Sequence, residues 1–212
     1  MNHKLEHTYP AAVAVAAIIG LQLGLLENLT LGPNWLLPAL ESGLLFLLLL
    51  AVPQRDTKGN RQRRLAVIAL IAVINLANIY SLWFLVSDLL KGGKASGVEL
   101  LLDALRLWLT NVIVFTLWYW ELDGGGPVAR LHKKRAHPDF LFTQMTAPQF
   151  ASHTWRPVFT DYLFLSFTNA SAFSPTDTLP LTPWAKILMM IQALTSLLTV
   201  ALVAARAVNI LA

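Results

Sequence analysis

The chain has 212 residues, of which 56% are hydrophobic and 13% charged, with no cysteine and a formal net charge of +4. Apolar residues gathered into long runs at so low a charge density describe a polytopic membrane protein, and the clustered basic residues read as topology with no sign of nucleic-acid binding. The lack of cysteine excludes disulfides and thiolate chemistry.

About 20 apolar residues cross a hydrocarbon core roughly 30 Å thick, and five runs predict spans at residues 11–26, 35–52, 65–90, 98–120 and 184–211. The first is longer than the apolar part of a cleaved signal, carries only Lys4 offset by Glu6 ahead of it, and leads directly to another span. It is expected to be retained. The third and fifth exceed the bilayer thickness, which permits tilt or protruding ends. The segment after the second run, "PQRDTKGNRQRR", carries Arg55, Lys58, Arg61, Arg63 and Arg64, and the one after the fourth carries Arg130, Lys133, Lys134 and Arg135. With Lys4, Arg156 and Lys186 these make 12 basic residues on one side, against Lys91, Lys94 and Arg206 on the other. Excess Lys and Arg mark the cytoplasmic face, so the N-terminus is expected inside and the C-terminus outside, in a bacterial inner membrane.

Residues 121–183 are long enough to hold further structure. "GGGP" ends the fourth span, and "VARLHKKRAHPDFLF" predicts a basic interfacial helix with Phe140, Leu141 and Phe142 dipping toward the headgroups. Pro157 opens a run in which Phe159, Tyr162, Leu163, Phe167 and Ala170 fall at helical spacing. That run of about 16 residues is roughly 24 Å long at 1.5 Å per residue, short for a span but suited to a re-entrant helix.

The next stretch, "FTNASAFSPTDTLPLTPW" at 167–184, keeps an Asp177-x-x-Pro180-x-Thr182 tail leading into the last span. In this tail, and in the order short helix, polar turn, long final helix, the chain resembles tetrameric pore-loop channels of the potassium-channel type. It also resembles uncharacterised bacterial five-span membrane proteins with a "DYL-x-x-SF" helix before the last span, which implies an architecture without an activity. The first resemblance implies a pore-like module at 98–212, with an outer helix at 98–120, a basic loop at 121–156, a re-entrant helix and turn at 157–183 and an inner helix at 184–211. Residues 1–97 would form three peripheral helices. No span repeats Arg or Lys as a voltage sensor does.

The resemblance aligns Ala172, Phe173, Ser174, Pro175 and Thr176 with the potassium filter. That filter turns backbone carbonyls to the axis through glycines of positive φ, whereas Pro175 fixes its own φ and disfavours helical geometry at Ser174. A potassium filter of the usual form is therefore not expected. Hydroxyls and one carboxylate remain, from Ser171, Ser174, Thr176, Asp177 and Thr178, and a homotetramer would gather Asp177 into a ring passing monovalent or divalent cations. Gln192, Thr195, Ser196 and Thr199 would lie along the inner lining. The same "SPTD" is also a good turn, and "TPWAK" an ordinary helix start. The pore loop enters from outside in potassium channels, while the charge bias puts 121–183 inside, as in the inverted pores of ionotropic glutamate receptors.

Charges inside spans are functional suspects. They are Glu41, Asp103 with Arg106 three residues on, and Arg206, read either as interhelical bonding or as a polar pathway in which Glu41 meets Arg106 or Arg206. Asn75, Asn78 and Asn111 add polar sites. His132 and His137 lie among Lys133, Lys134 and Arg135, which oppose a metal ion, and "HPD" at 137–139 is read as chance. No nucleophile elbow, phosphate loop or zinc-protease motif occurs, so no cofactor, metal or catalytic residue is expected. The expectation is an all-α integral membrane protein with five spans and a re-entrant helix, in contact with lipid. Passive cation permeation leads, with a non-conducting scaffold or transporter second and an enzyme acting on lipid third.

Overall fold

A computed structural model describes residues 3–23, 36–49, 58–90, 97–131, 137–152, 155–171 and 177–211. Its elements are α1 (His3–Gln22), α2 (Leu36–Leu49), α3 (Lys58–Leu90), α4 (Gly97–Leu122), α5 (Pro127–Leu131), β1 (Phe140–Leu141), α6 (Thr143–Thr146), α7 (Phe159–Ser171), β2 (Leu179–Pro180) and α8 (Pro183–Leu211). One 3-10 turn at Asp123–Gly125 follows α4, and another lies at Pro148–Phe150. The chain is mostly helical. It departs from all-α in one antiparallel pair, in which Phe140 faces Pro180 and Leu141 faces Leu179.

Among the described residues, three helical stretches, at 64–87, 98–125 and 183–204, are long and apolar enough to cross a membrane. They coincide with the expected third, fourth and fifth spans. The expected first and second spans fall on shorter elements, an apolar stretch at Ala12–Gln22 in α1 and the 14 residues of α2.

Helix α4 is the centre, packed against α1, α3, α7 and α8. Val114, Phe115, Leu117, Tyr119 and Trp120 of α4 share one buried core with Val15 and Ile18 of α1, Val67, Ile71 and Ile74 of α3, Tyr162 and Leu165 of α7 and Ala185 of α8. The α1 contribution makes this helix part of the main core and not only a peripheral neighbour. A second cluster joins Leu82 and Leu85 of α3 to Leu100, Ala104 and Leu107 of α4.

Helix α7 begins with Val158 N–H donating to Asp161 Oδ2 at 2.7 Å, the reciprocal half of a capping box. It is 13 residues long, or about 20 Å. Its first turn lies at the C-terminal end of α4, where Phe159 meets the Trp120 ring edge to face at 5.7 Å. Further along, Ser166 Oγ donates to the Val112 carbonyl near the middle of α4 at 2.6 Å. By Asp177 the chain is back where it started, its carbonyl accepting from Thr143 Oγ1 at 3.2 Å, and Leu181 N–H then donates to the Asp139 carbonyl at 2.8 Å. Phe159 and Leu181 thus both lie toward the C-terminal end of α4.

Two expectations need correction. Phe140 and Phe142 are not at a headgroup boundary but buried, Phe140 against Tyr119 and Trp184, and Phe142 against Trp155 and Tyr162. The chain turns into β1 here because edge-to-face ring packing, about 0.5–1.5 kcal/mol per pair beyond area burial, holds both phenylalanines inward. The buried stripe of α7 is Phe159, Tyr162, Leu165, Ser166, Asn169 and Ala170, with Phe167 outside it and half exposed.

Candidate functional site

Two polar constellations position α7, and both are built on α4. At the end of the bundle, Asp123 Oδ1 accepts from the backbone N–H groups of Asp139 at 2.8 Å and Phe140 at 3.3 Å, and Oδ2 accepts from the Tyr162 hydroxyl at 2.6 Å. Asp139 answers in kind. Its Oδ2 accepts from Gly124 N–H at 2.8 Å and its Oδ1 from Trp184 Nε1 at 3.0 Å. Two buried carboxylates thereby tie α4, β1, α7 and the start of α8 together. Burial pushes the Tyr162 hydroxyl well above the usual phenol range; Arg130 opposes this and Asp123 adds to it. It therefore stays a neutral donor.

The turn that permits this is "GGGP". Gly124, Gly125 and Gly126 have φ of 58°, 87° and 97°, a left-handed path that side chains resist. A Cβ at Gly126 would lie 3.0 Å from the Glu121 carbonyl oxygen and 2.9 Å from Arg64 Nε. The α4 C-terminus is also covered by cations, which suits its negative end. Arg64 Nη2 donates to the Glu121 carbonyl at 2.9 Å, and Arg130 Nη1 to those of Trp120 and Asp123 at 2.7 and 2.6 Å. The Arg130 guanidinium also lies over the Trp120 and Tyr162 rings, at 4.6 and 5.0 Å from their centroids.

The second constellation lies inside the bundle around Gln192. Its Oε1 accepts from the Tyr119 hydroxyl at 2.6 Å and Asn169 Nδ2 at 2.9 Å, while its Nε2 donates to the Ser166 carbonyl at 2.9 Å and Oγ at 2.6 Å. A carboxamide has two acceptor and two donor positions, and all are used. Asn169 Nδ2 also donates to the Met189 carbonyl at 3.0 Å, and Ser196 Oγ donates to the Ala170 carbonyl while accepting from Trp108 Nε1 at 2.7 Å. This ladder locks α7 between α4 and α8.

Of the expected lining residues, Gln192 and Ser196 belong to that ladder, and the Thr195 and Thr199 hydroxyls donate to the Ile191 and Thr195 carbonyls of their own helix. All four are buried within one chain. The outward face of α8 is apolar instead, with Ile187, Met190, Leu194, Leu197 and Leu198 each about half exposed or more. Ser171 and Asp177, both exposed, and the buried Thr178 flank the expected constriction. Ser171 Oγ donates to the Phe167 carbonyl at 2.7 Å. Phe173, Ser174, Pro175 and Thr176 lie outside the described residues, as does the side chain of Arg206.

Asp103 is buried and its Oδ1 accepts from Arg106 Nη1 at 2.7 Å, so the local pairing is the one formed. Glu41 is brought to neither of these residues. It is fully buried on α2, and neither carboxyl oxygen has a hydrogen-bond partner. Among the described residues no group of three or more His, Asp or Glu could hold a metal ion.

Asp123, Asp139, Tyr162, Ser166 and Asn169 went unmarked in the sequence as positions that organise this region. The "DYL" stretch and an aspartate directly before three glycines were the available signals. What fold and site define is a mostly helical protein with three helices, among the described residues, long and apolar enough to cross a membrane, and a short α7 pinned at both ends. Searches against protein-family models, curated proteins and solved structures find no match.

Proposed function

We propose that the protein is a pore-loop membrane protein passing cations, with α7 as a re-entrant pore helix, residues 171–178 as the constriction and a homotetramer as the conducting unit. The observation that carries this reading is the placement of α7, with Phe159 at the C-terminal end of α4 and Ser166 at its middle, while Asp177 and Leu181 lie beside Thr143 and Asp139. Short helices of this kind occur at membrane depth only where protein or a water-filled path covers their ends. The C-terminal end of α7 is the negative end of its dipole and favours positive charge, and exposed Asp177 adds a carboxylate after it. In this reading five helices cross, α1 and α2 among them. The hairpin enters from the basic, cytoplasmic side of a bacterial inner membrane, and the apolar face of α8 meets neighbouring copies and lipid.

A second reading, a non-conducting membrane scaffold, draws on the hydrogen-bond saturation of Gln192 and Ser196, which leaves no polar stripe on α8 for an ion. Size measurement in nanodiscs and cation flux in liposomes separate the two. The channel reading expects a tetramer with flux that falls several-fold in Asp177→Asn. A monomer without flux selects the scaffold, and undiminished flux in the variant removes Asp177 as the selecting group.

A further inference from the structure

Buried side-chain atoms without a hydrogen-bond partner occur on α4 as well as on α1, α2 and α3. Around α7 the Gln192 amide is saturated, whereas α1, α2 and α3 hold buried atoms with no hydrogen-bond partner: Gln22 Oε1, both oxygens of Glu41, Asn75 Oδ1, and both Oδ1 and Nδ2 of Asn78. Helix α2, which carries Glu41, packs against α1 and α3, the helices that carry the other three.

Among the described side chains of the helices packed against α2, no counter-charge pairs with this carboxyl. The described side chains of α1, residues 12–23, include no titratable group. Those of α3 include two. Arg64 donates to the Glu121 carbonyl at the end of α4, and Tyr80 packs beside Trp83 and is 38% exposed. A bare carboxylate taken out of water costs far more than the same group carrying its proton, and an unpaired buried charge is not retained. A fully buried, unpartnered carboxyl therefore holds the acid form, and loses its proton only when water or a cation reaches it. An ionisable group at membrane depth, on a helix packed against others that carry unsatisfied amides, is the composition of a proton path.

We propose that Glu41 is a reversible proton-binding site in the α1–α3 half of the bundle. Its ligand is a proton, and the amides of Gln22, Asn75 and Asn78 are the polar groups lining that half. The assignment is independent of whether α7 forms a pore.

Infrared spectroscopy of the full chain in nanodiscs tests it through the carbonyl stretch of a protonated carboxyl. The wild type should show this band at neutral pH, the Glu41→Gln spectrum should lack it, and Glu41→Asp should restore it at a shifted frequency. On raising the pH, the fraction carrying the proton should fall about tenfold per unit once the site ionises, as for a single titrating group. A wild-type spectrum identical to that of Glu41→Gln at neutral pH overturns the proposal. So does a band unchanged between mildly acidic and strongly alkaline buffer, which would mean a fixed acid. Loss of the band on adding sodium at constant pH overturns it as well, by assigning the site to a metal cation.

Discussion

Asp139 and Asp123 accept from two different kinds of donor, and the difference is testable. Two donors to Asp139, Gly124 N–H and Trp184 Nε1–H, are fixed by the backbone and by a ring. An amide at 139 must set its NH2 against one of them, so Asp139→Asn should cost about 2–3 kcal/mol. At Asp123 one donor is the Tyr162 hydroxyl, which rotates and accepts as readily as it donates. Asp123→Asn should therefore cost less, about 1–2 kcal/mol, and denaturant unfolding in detergent should rank the two in that order. Neither aspartate was legible as a hub, because the partners of Asp139 lie 15 and 45 residues away. The glycine run between them was legible as a breaker, though not as the turn that folds the chain back onto α4.

For α7 and α8, existence and approximate extent followed from length and spacing. Their inward faces did not. Helical periodicity was read by hydrophobicity, which put Phe167 inside and left out Ser166 and Asn169. In a lipid-facing bundle apolar side chains lose nothing by facing outward, while polar ones must find partners inside. Gln192→Leu should consequently cost about 3 kcal/mol or more, since it strands the Tyr119 hydroxyl, the Asn169 amide and the Ser166 oxygens together. Leu194→Ala, on the half-exposed face, should change the same unfolding measurement by less than about 0.5 kcal/mol.

At the scale of the molecule, the division into a peripheral 1–97 and a pore-like 98–212 does not coincide with the packing. Val15 and Ile18 of α1 and Val67, Ile71 and Ile74 of α3 complete the core around Val114 and Phe115 of α4. A fragment of residues 98–212 should therefore not fold alone, and should regain protease resistance when residues 1–97 are supplied separately. A resistant fragment on its own would restore the two-module picture. The basic end is common to both parts, as the charge clustering indicated, since Arg64 of α3 reaches the last carbonyls of α4.

By itself the sequence determined the mostly helical class, the three long apolar helices and a short helix before the last of them. Apolar run length and charge placement act locally and need no knowledge of neighbours. Tertiary structure alone decided which polar groups meet. A hydrogen bond depends on facing atoms a few ångströms apart, and here those atoms come from helices far separated along the chain. So Gln192, expected along an open path, closes a buried network, while the two carboxyl oxygens of Glu41 have no hydrogen-bond partner.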